Sequence, residues 1–456
     1  MVERAFGLTT DLYELTMAAA YFENRIQQPA IFDLFVRRLP QHRSYLIAAG
    51  LEQVLDYLTR LRFKNDEIDY LREHPSFKKV SKEFFDYLAG FRFTGDVWAI
   101  PEGTVAFGME PLLRVTAPII EAQVVETFLL STINFQTMIA SKAARVVTAA
   151  SGRGVIEFGT RRAHGTEAGL FAARAAYIGG CIGTSNVEAG HLFGIPTFGT
   201  LAHSFVMSFD NEDEAFRAFL KVFPETATVL VDTYDTIAAV KRLARDFGPT
   251  IPAVRLDSGD LCDLSKRVRE ILDEAGMTAT KIFASGDLNE YKIADLISRG
   301  AAIDSFGVGT ELATSYDAPA LSGAYKLAGL EENGRVSMRI KLSHDKATYP
   351  GAKQVWRFID GEGKYARDVI TLADEAPPDI ATARSLLEPV MRRGRKIVES
   401  EAGLAGLNRL RERAAEELKR FHPQLLALDF EGQYPVVIGD KLGDEQEKLK
   451  RRLVPN

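Results

Sequence analysis

Seven short polar clusters recur through the middle of the chain: Arg161-Arg162, Thr184-Ser185-Asn186, His203-Ser204, Asp232, Arg255-Leu256-Asp257-Ser258-Gly259-Asp260, Ser285-Gly286-Asp287 and Gly307-Val308-Gly309-Thr310. Gly307, Gly309 and Thr310 close an apolar run and open a helical one. Bare backbone N–H groups at such a turn, with a helix dipole behind them, suit a phosphate, although a tight loop is an equally good reading. Ser285-Gly286-Asp287 offers a second turn of this kind. Asp232, Asp257 and Asp260 supply hard oxygen ligands, suited to Mg²⁺ held partly through substrate phosphates. The competing reading of 257–260 is ordinary helix capping. Two phosphate-suited turns beside three carboxylates favour a phosphorylated substrate with Mg²⁺. A lone histidine is more often a hydrogen-bonded filler. The place of His203 just past an apolar run gives its imidazole a second role, carrying a proton or accepting a phosphoryl group.

What must position these residues is a repeated rhythm. Eight short apolar runs fall at 155–158, 180–182, 197–198, 229–231, 253–256, 282–284, 303–306 and 324–327. Most are followed by segments of helical periodicity, such as 236–247 and 264–275. Repeated β-then-α units imply parallel strands joined by right-handed crossovers. Eight of them point to a (β/α) barrel, regular or irregular. An open doubly wound sheet is the alternative, because the second and third runs are weak. In a parallel barrel the C-terminal strand ends form the mouth where ligands bind, so the polar clusters are expected to converge on one cavity.

Ahead of this region, residues 1–118 mix helical stretches (12–22, 50–61, 67–72) with strand-like ones (31–36, 97–100, 104–107, 112–115). That is the reading of an N-terminal α+β domain on an antiparallel sheet. Thr9-Thr10-Asp11 is expected to cap the first helix. The barrel domain is placed at 119–345, opening with a helix over 121–144. A more polar C-terminal segment, 346–456, is expected to pack on the N-terminal domain. Its basic run, Arg392-Arg393-Gly394-Arg395-Lys396, reads as an exposed face more than a phosphate site.

Composition narrows the class. The chain has 456 residues, 46% apolar and 26% charged, the balance of an ordinary globular protein with ample core. A net charge of −6 argues against a nucleic-acid platform. Two cysteines, Cys181 and Cys262, cannot build a disulfide framework or a four-cysteine zinc site, and fit a reducing cytosol. No apolar run is long enough for a membrane span, and the start lacks the basic-then-apolar pattern of a secretory signal. A cytoplasmic location is therefore expected. No Gly-x-x-x-x-Gly-Lys-Ser/Thr, helix-opening Gly-x-Gly-x-x-Gly, His-Glu-x-x-His, Cys-x-x-Cys or Gly-x-Ser-x-Gly is present.

Six ordered motifs resemble one family: Thr10-Asp11-Leu12-Tyr13-Glu14-Leu15-Thr16-Met17, Pro101-Glu102-Gly103-Thr104, Glu157-Phe158-Gly159-Thr160-Arg161-Arg162, Gly183-Thr184-Ser185-Asn186, Gly199-Thr200-Leu201-Ala202-His203-Ser204 and Arg255-Leu256-Asp257-Ser258-Gly259-Asp260. Together, over about residues 8–330, they resemble nicotinate phosphoribosyltransferase. The resemblance implies a barrel of the type II phosphoribosyltransferase kind. It also implies a reaction in which nicotinate displaces pyrophosphate from 5-phosphoribosyl 1-pyrophosphate, giving nicotinate mononucleotide for NAD biosynthesis. ATP hydrolysis would be coupled through a phosphohistidine at His203.

Residue by residue, the resemblance implies that Phe158 and Tyr13 sandwich the pyridine ring. Tyr13 would come from the second subunit of a homodimer with shared active sites, beside Asp11. Arg161 and Arg255 would lie at the ligand. Asp257 and Asp232 would sit near the ribose and metal. Gly286, Gly307 and Gly309 would sit on the 5′-phosphate side, with Lys326 reaching the phosphates. Related nicotinamide enzymes carry an aspartate in the turn that here reads Gly183-Thr184-Ser185-Asn186. An acid there would repel a pyridine carboxylate, whereas Ser185 or Asn186 can donate to it, so the acid is the expected substrate. The rival readings are a nicotinamide-specific relative and a catalytically silent metabolite-binding barrel.

Overall fold

The computed structural model describes residues 5–332, 334–343, 346–376, 382–401, 403–430 and 432–454. The chain forms two compact units, one of residues 1–138, 320–402 and 416–456, the other of 139–319 and 403–415. These limits differ from the boundaries read at 118 and 345, and residue 345 itself lies outside the described residues. The first limit falls inside the helix Glu126–Ala149, an uninterrupted stretch that carries no sequence mark of a change of unit.

The first unit is built on a seven-stranded antiparallel sheet. Its order is Arg335–Met338, Gly323–Glu332, Pro29–Val36, Pro111–Pro118, Asp96–Ala99, Glu388–Arg392 and Arg395–Lys396. Pro29–Val36 is buried along nearly its whole length, so it reads as an apolar run with no alternation. The run at 324–327, expected as the eighth barrel strand, belongs here instead. It lies in Gly323–Glu332, antiparallel to Pro29–Val36. Tyr325 stacks on Phe32 across that pair at 4.8 Å. A short apolar run carries its burial in its sequence but not its partner or direction, which is why counting runs misplaced it.

Local signals explain much of this unit. The helix Leu12–Glu23 begins after Asp11, whose side chain makes no capping bond; Thr10 instead donates its hydroxyl to Glu14. In the Pro101-Glu102-Gly103-Thr104 motif, the buried Glu102 carboxylate accepts the N–H of Gly50 (2.5 Å) and of Glu52, at the start of the helix Leu51–Arg60. Acid placed against first-turn amides satisfies donors that have no partner within the helix. The basic run is tied down: Arg392 pairs with Asp96 at 2.8 Å and Lys396 with Glu52 at 2.8 Å.

A second sheet, Ala383–Ser385, Lys353–Ile359, Tyr365–Leu372 and Val436–Ile438, surrounds a fully buried arginine. Arg357 donates to both oxygens of Asp368 (Nη2–Oδ2 2.6 Å) and to Glu417 at 3.1 Å. The rings of Phe107, Tyr365, Phe421 and Tyr434 enclose it at 5.0–6.0 Å. Burial and the neighbouring Asp368 push the Glu110 carboxyl well above its ordinary range.

The second unit holds a six-stranded, all-parallel sheet in the order Gly183–Thr184, Gly154–Glu157, Ser305–Val308, Lys281–Ala284, Ala253–Leu256 and Thr228–Leu230. It curls into a partial barrel. The run at 180–182 forms no strand of its own; the strand is Gly183–Thr184, and Thr197 contributes only a single parallel bridge to Thr184. Gly183 lies close against this bridge: a Cβ there would sit 2.3 Å from the Pro196 carbonyl oxygen, which accepts the Thr184 N–H at 3.0 Å. Helices Thr236–Phe247, Leu261–Glu274 and Glu290–Ser298 follow the strands, each started by a side-chain cap from Asp235, Asp260 and Asn289 respectively.

Candidate active site

The C-terminal strand ends of the second unit gather two connected groups of polar residues. The first is centred on Arg255. Its guanidinium donates to Ser285 Oγ (2.8 Å), Thr200 Oγ1 (2.6 Å) and Asp257 Oδ1 (2.7 Å), so every arm of the fork is used. Ser285 also donates its hydroxyl to Asp257 Oδ1. Asp257 donates its backbone N–H to Asp232 Oδ2 at 3.1 Å, and the Ser258 hydroxyl reaches the same oxygen. One strand end thus orders the next: Ala253–Leu256 supplies Arg255, and the following residues bind Asp232, just past Thr228–Leu230.

Electrostatics keeps this group charged. Burial alone would raise the Asp257 carboxyl. The Ser285 hydroxyl, the Arg255 guanidinium and the imidazole of His203 outweigh it and hold Asp257 below the ordinary aspartate range. His203 opens the short helix His203–Met207, half-buried, with Nδ1 3.2 Å from Thr233 Oγ1. Thr233 directly follows Asp232, so His203, Asp232 and Asp257 share one neighbourhood.

Two of the three acids read as metal ligands remain together. Asp232 keeps one buried oxygen, Oδ1, with no hydrogen-bond partner among the described residues. A buried carboxylate oxygen left over in this way is what a cation would complete. Asp260 does other work. It caps Leu261–Glu274 through the N–H groups of Cys262 and Asp263 and pairs with Arg299 at 3.1 Å. Among the described residues no group of three or more acids, histidines or cysteines is arranged to hold a metal. Mg²⁺ commonly takes only one or two carboxylates and fills the remaining positions with water and phosphate, so Asp232 and Asp257 fit it.

The second group surrounds Phe158. Its ring packs at 5.4 Å from that of Phe283 and lies over Gly307, where a Cβ would come within 2.9 Å of it. Gly307 is therefore needed for ring packing. Gly286 has a different reason: its φ is +100°, and a Cβ would sit 2.2 Å from the Asp257 carbonyl oxygen. Gly309 and Thr310 follow at the start of a four-residue helix. Behind Phe158, the fully buried Glu157 accepts the Gly159 N–H and, at 2.6 Å, the Thr184 hydroxyl. Thr184 Oγ1 in turn accepts the Asn186 N–H at 3.0 Å. Asn186 donates to Thr160 (3.1 Å) and caps the helix Val187–Phe193 through Ala189 (2.8 Å). This leaves Ser185, which is exposed, as the turn's open side chain.

Other expected site residues stand apart. Arg161 and Ser204 are exposed beside these groups. Asp11, Tyr13 and Lys326 belong to the first unit. There Tyr13 hydrogen-bonds Glu126, and Lys326 lies 3.4 Å from the same carboxylate. Glu14 beneath them is fully buried; burial pushes it up to about 7 against the pull of Thr10 and Thr127. Thr200, Thr233, Phe283 and Glu157 were not singled out individually from the sequence. Thr200 and Glu157 stand inside quoted motifs, and an acid within the apolar run Val155-Ile156-Glu157-Phe158 was the available signal.

Comparison with known proteins agrees with this geometry. A model of the nicotinate phosphoribosyltransferase N-terminal domain matches residues 8–134, and one of the quinolinate phosphoribosyl transferase C-terminal domain matches 139–319. A nicotinate phosphoribosyltransferase of Mycobacterium tuberculosis is 47% identical over 452 residues, covering 97% of this chain and 94% of that protein. One from Bacillus subtilis is 44% identical over 385 residues, covering 82% and 78%. The crystal structure of human nicotinic acid phosphoribosyltransferase superposes with a TM-score of 0.85 at 28% identity, covering 96% of this chain and 99% of that one. Nicotinate-nucleotide pyrophosphorylase from Pyrococcus furiosus gives 0.73 at 26%, covering 91% and 96%. The barrel alone matches a model named for quinolinate, but the N-terminal match and the near full-length relatives carry the nicotinate name.

Proposed function

This chain belongs to the nicotinate phosphoribosyltransferase family, and from that premise we propose how its own residues carry the reaction. It transfers the 5-phosphoribosyl group to nicotinate: the pyridine nitrogen forms a bond to the ribose anomeric carbon while the bond to pyrophosphate breaks. The observation that carries this reading is the near full-length likeness to enzymes named for that transfer.

The pyridine stacks on Phe158, with its carboxylate toward Ser185 and the arginine side chains. Positive charge develops on the ribose as the bond to pyrophosphate lengthens. Asp257, held ionised by Arg255 and Ser285, is placed to stabilise it. The turns at Gly286 and Gly307–Gly309 offer backbone N–H groups to the 5′-phosphate. A Mg²⁺ held by Asp232 and Asp257 would supply neutralising charge for the pyrophosphate.

His203 is the proposed phosphoryl acceptor from ATP, and its nearness to Asp257 supports that role. Tyr13, a residue 45% exposed, is the proposed cover for the pyridine of the partner subunit in a homodimer. Among the described residues no helix is long and apolar enough to cross a membrane. A cytoplasmic location is part of the same proposal.

The test is a substrate panel of nicotinate and nicotinamide, each with and without ATP. Product from nicotinate, stimulated by ATP and much weaker from nicotinamide, is expected. A preference for nicotinamide refutes the assignment. His203→Ala should abolish both the stimulation and acid-labile labelling from γ-³²P-ATP; surviving label places the acceptor elsewhere. Tyr13→Ala mixed with a chain separately inactivated in the barrel, such as Asp257→Asn, should regain activity in hybrid dimers, and absence of rescue refutes sharing.

A further inference from the structure

Two segments leave the C-terminal strand ends of the second unit and meet again at one buried ammonium. The first runs from Ser285, which donates to Asp257, through Gly286, packed on the Asp257 carbonyl oxygen, to Glu290 at the head of a helix. The second runs from Gly309 to Asp317 and lies against the ring platform: a Cβ on Gly159, next to Phe158, would come within 2.2 Å of the Ala313 side chain. The strands that feed them, Lys281–Ala284 and Ser305–Val308, are parallel neighbours. Lys142, on the helix Glu126–Ala149, places its Nζ 2.6 Å from Glu290 Oε2 and 2.8 Å from Asp317 Oδ1. Lys142 is 1% exposed and Glu290 is wholly buried. Arg145, one turn further along the same helix, reaches the other Glu290 oxygen at 3.2 Å. Both segments are also bent in a way that needs support. Asp287 and Ser315 each have a φ of +43°, a left-handed turn that a non-glycine residue keeps only where its surroundings impose it. Each is followed closely by a carboxylate that Lys142 holds.

We infer that Lys142 is a positioning residue for the ribose donor: by binding Glu290 and Asp317 together, it fixes the spacing of the turns at Gly286 and Gly307–Gly309, the pair proposed to hold the 5′-phosphate. The inference rests on that reading of the two turns. A buried ammonium must keep its carboxylates, since losing either strands charge in the interior. The two segments therefore cannot drift apart singly. A phosphate gripped by backbone N–H groups from both turns needs them at one separation. The pyridine, stacked on Phe158, bridges no such pair.

The experiment measures steady-state kinetics in the full-length enzyme, with ribose 5-phosphate and pyrophosphate as competing probes. Asp317→Ala cuts one arm of the clamp at a part-exposed position. The KM for 5-phosphoribosyl 1-pyrophosphate should rise at least ~10-fold, and the Ki of ribose 5-phosphate should rise with it. The KM for nicotinate and the Ki of pyrophosphate should stay within about threefold of the unaltered enzyme. Asp317→Asn, which keeps an oxygen toward Lys142, should recover most of the loss. Lys142→Met cuts both arms and should move the same two constants further; should it fail to fold, Asp317→Ala alone decides. An equal rise in both Ki values overturns the inference, because the clamp would then serve the whole donor site and not its 5′-phosphate end. Ribose 5-phosphate that fails to compete with the donor in the unaltered enzyme overturns the phosphate reading and the inference together. Competition there, with both constants unchanged in Asp317→Ala and only Tm lowered, makes the clamp part of the fold and overturns the inference alone.

Discussion

Arg357 in the first unit and Arg255 in the second are both guanidiniums with their forks fully engaged, yet their surroundings are opposites. Arg357 is wholly buried, faces the carboxylates of Asp368 and Glu417, and is walled by four aromatic rings. Its charge is cancelled where it stands. Arg255 retains 12% exposure, meets a single carboxylate, and spends its other two arms on the hydroxyls of Ser285 and Thr200. Hydroxyls fix its direction without removing its charge. A buried arginine surrounded by acid specifies a fold; one oriented by hydroxyls keeps a field for an incoming anion.

The largest effect should come from breaking the closed case. Arg357→Met leaves Asp368 without its charge partner in the core, with Glu417 keeping only Arg384, and should cost about 3–5 kcal/mol in denaturant unfolding. A loss below ~1 kcal/mol would mean the cage is not structural. At the open case the balance reverses. Arg255→Lys keeps the charge but loses the fork, so kcat/KM should drop about 10²-fold while Tm moves little. A large Tm drop with kcat/KM retained by the folded fraction would make Arg255 a second Arg357.

Acid titration sharpens the contrast between the units. Asp257 is depressed, so its contribution to stability is present above the unfolded aspartate pKa and lost only as pH falls through its lower folded value. Glu14 runs the other way. Raised from 4.5 to about 7, it contributes stability that is complete below 4.5 and lost as pH rises through about 7. Tm should therefore carry a falling component between those values that Glu14→Gln removes; an identical slope in the variant refutes it. The smallest effect belongs to Asp260→Ala, which removes a helix cap worth about 1 kcal/mol and should leave the Mg²⁺ dependence of turnover unchanged. A weakened Mg²⁺ dependence would return Asp260 to the metal site.

Where local chemistry decides, the sequence was readable. The helix Thr236–Phe247 falls on the periodic stretch read for it, and the strand Ala253–Leu256 falls on its apolar run, because cap residues and run length are local quantities. Pairing is not local, and Gly323–Glu332 was credited to the wrong sheet for that reason. The same limit applies within the site. Asp257 and Asp260 lie three residues apart in one motif, and both precede a helix. Only the turn of the backbone sends one to Arg255 and the other to Arg299. Glu157 was hidden differently: its role depends on Thr184, 27 residues away.

Pro29–Val36, an interior strand of the antiparallel sheet, has one neighbour nearer in the chain and another far downstream. Pro111–Pro118 is available early, whereas Gly323–Glu332 emerges about 200 residues later, a wait of roughly 10–40 s at ~5–20 residues per second. Through that interval a long apolar strand presents a bare edge while the whole parallel sheet is being made. The gap beside Pro29–Val36 closes when residue 332 arrives, while Asp96–Ala99 waits longer still for its second neighbour, Glu388–Arg392.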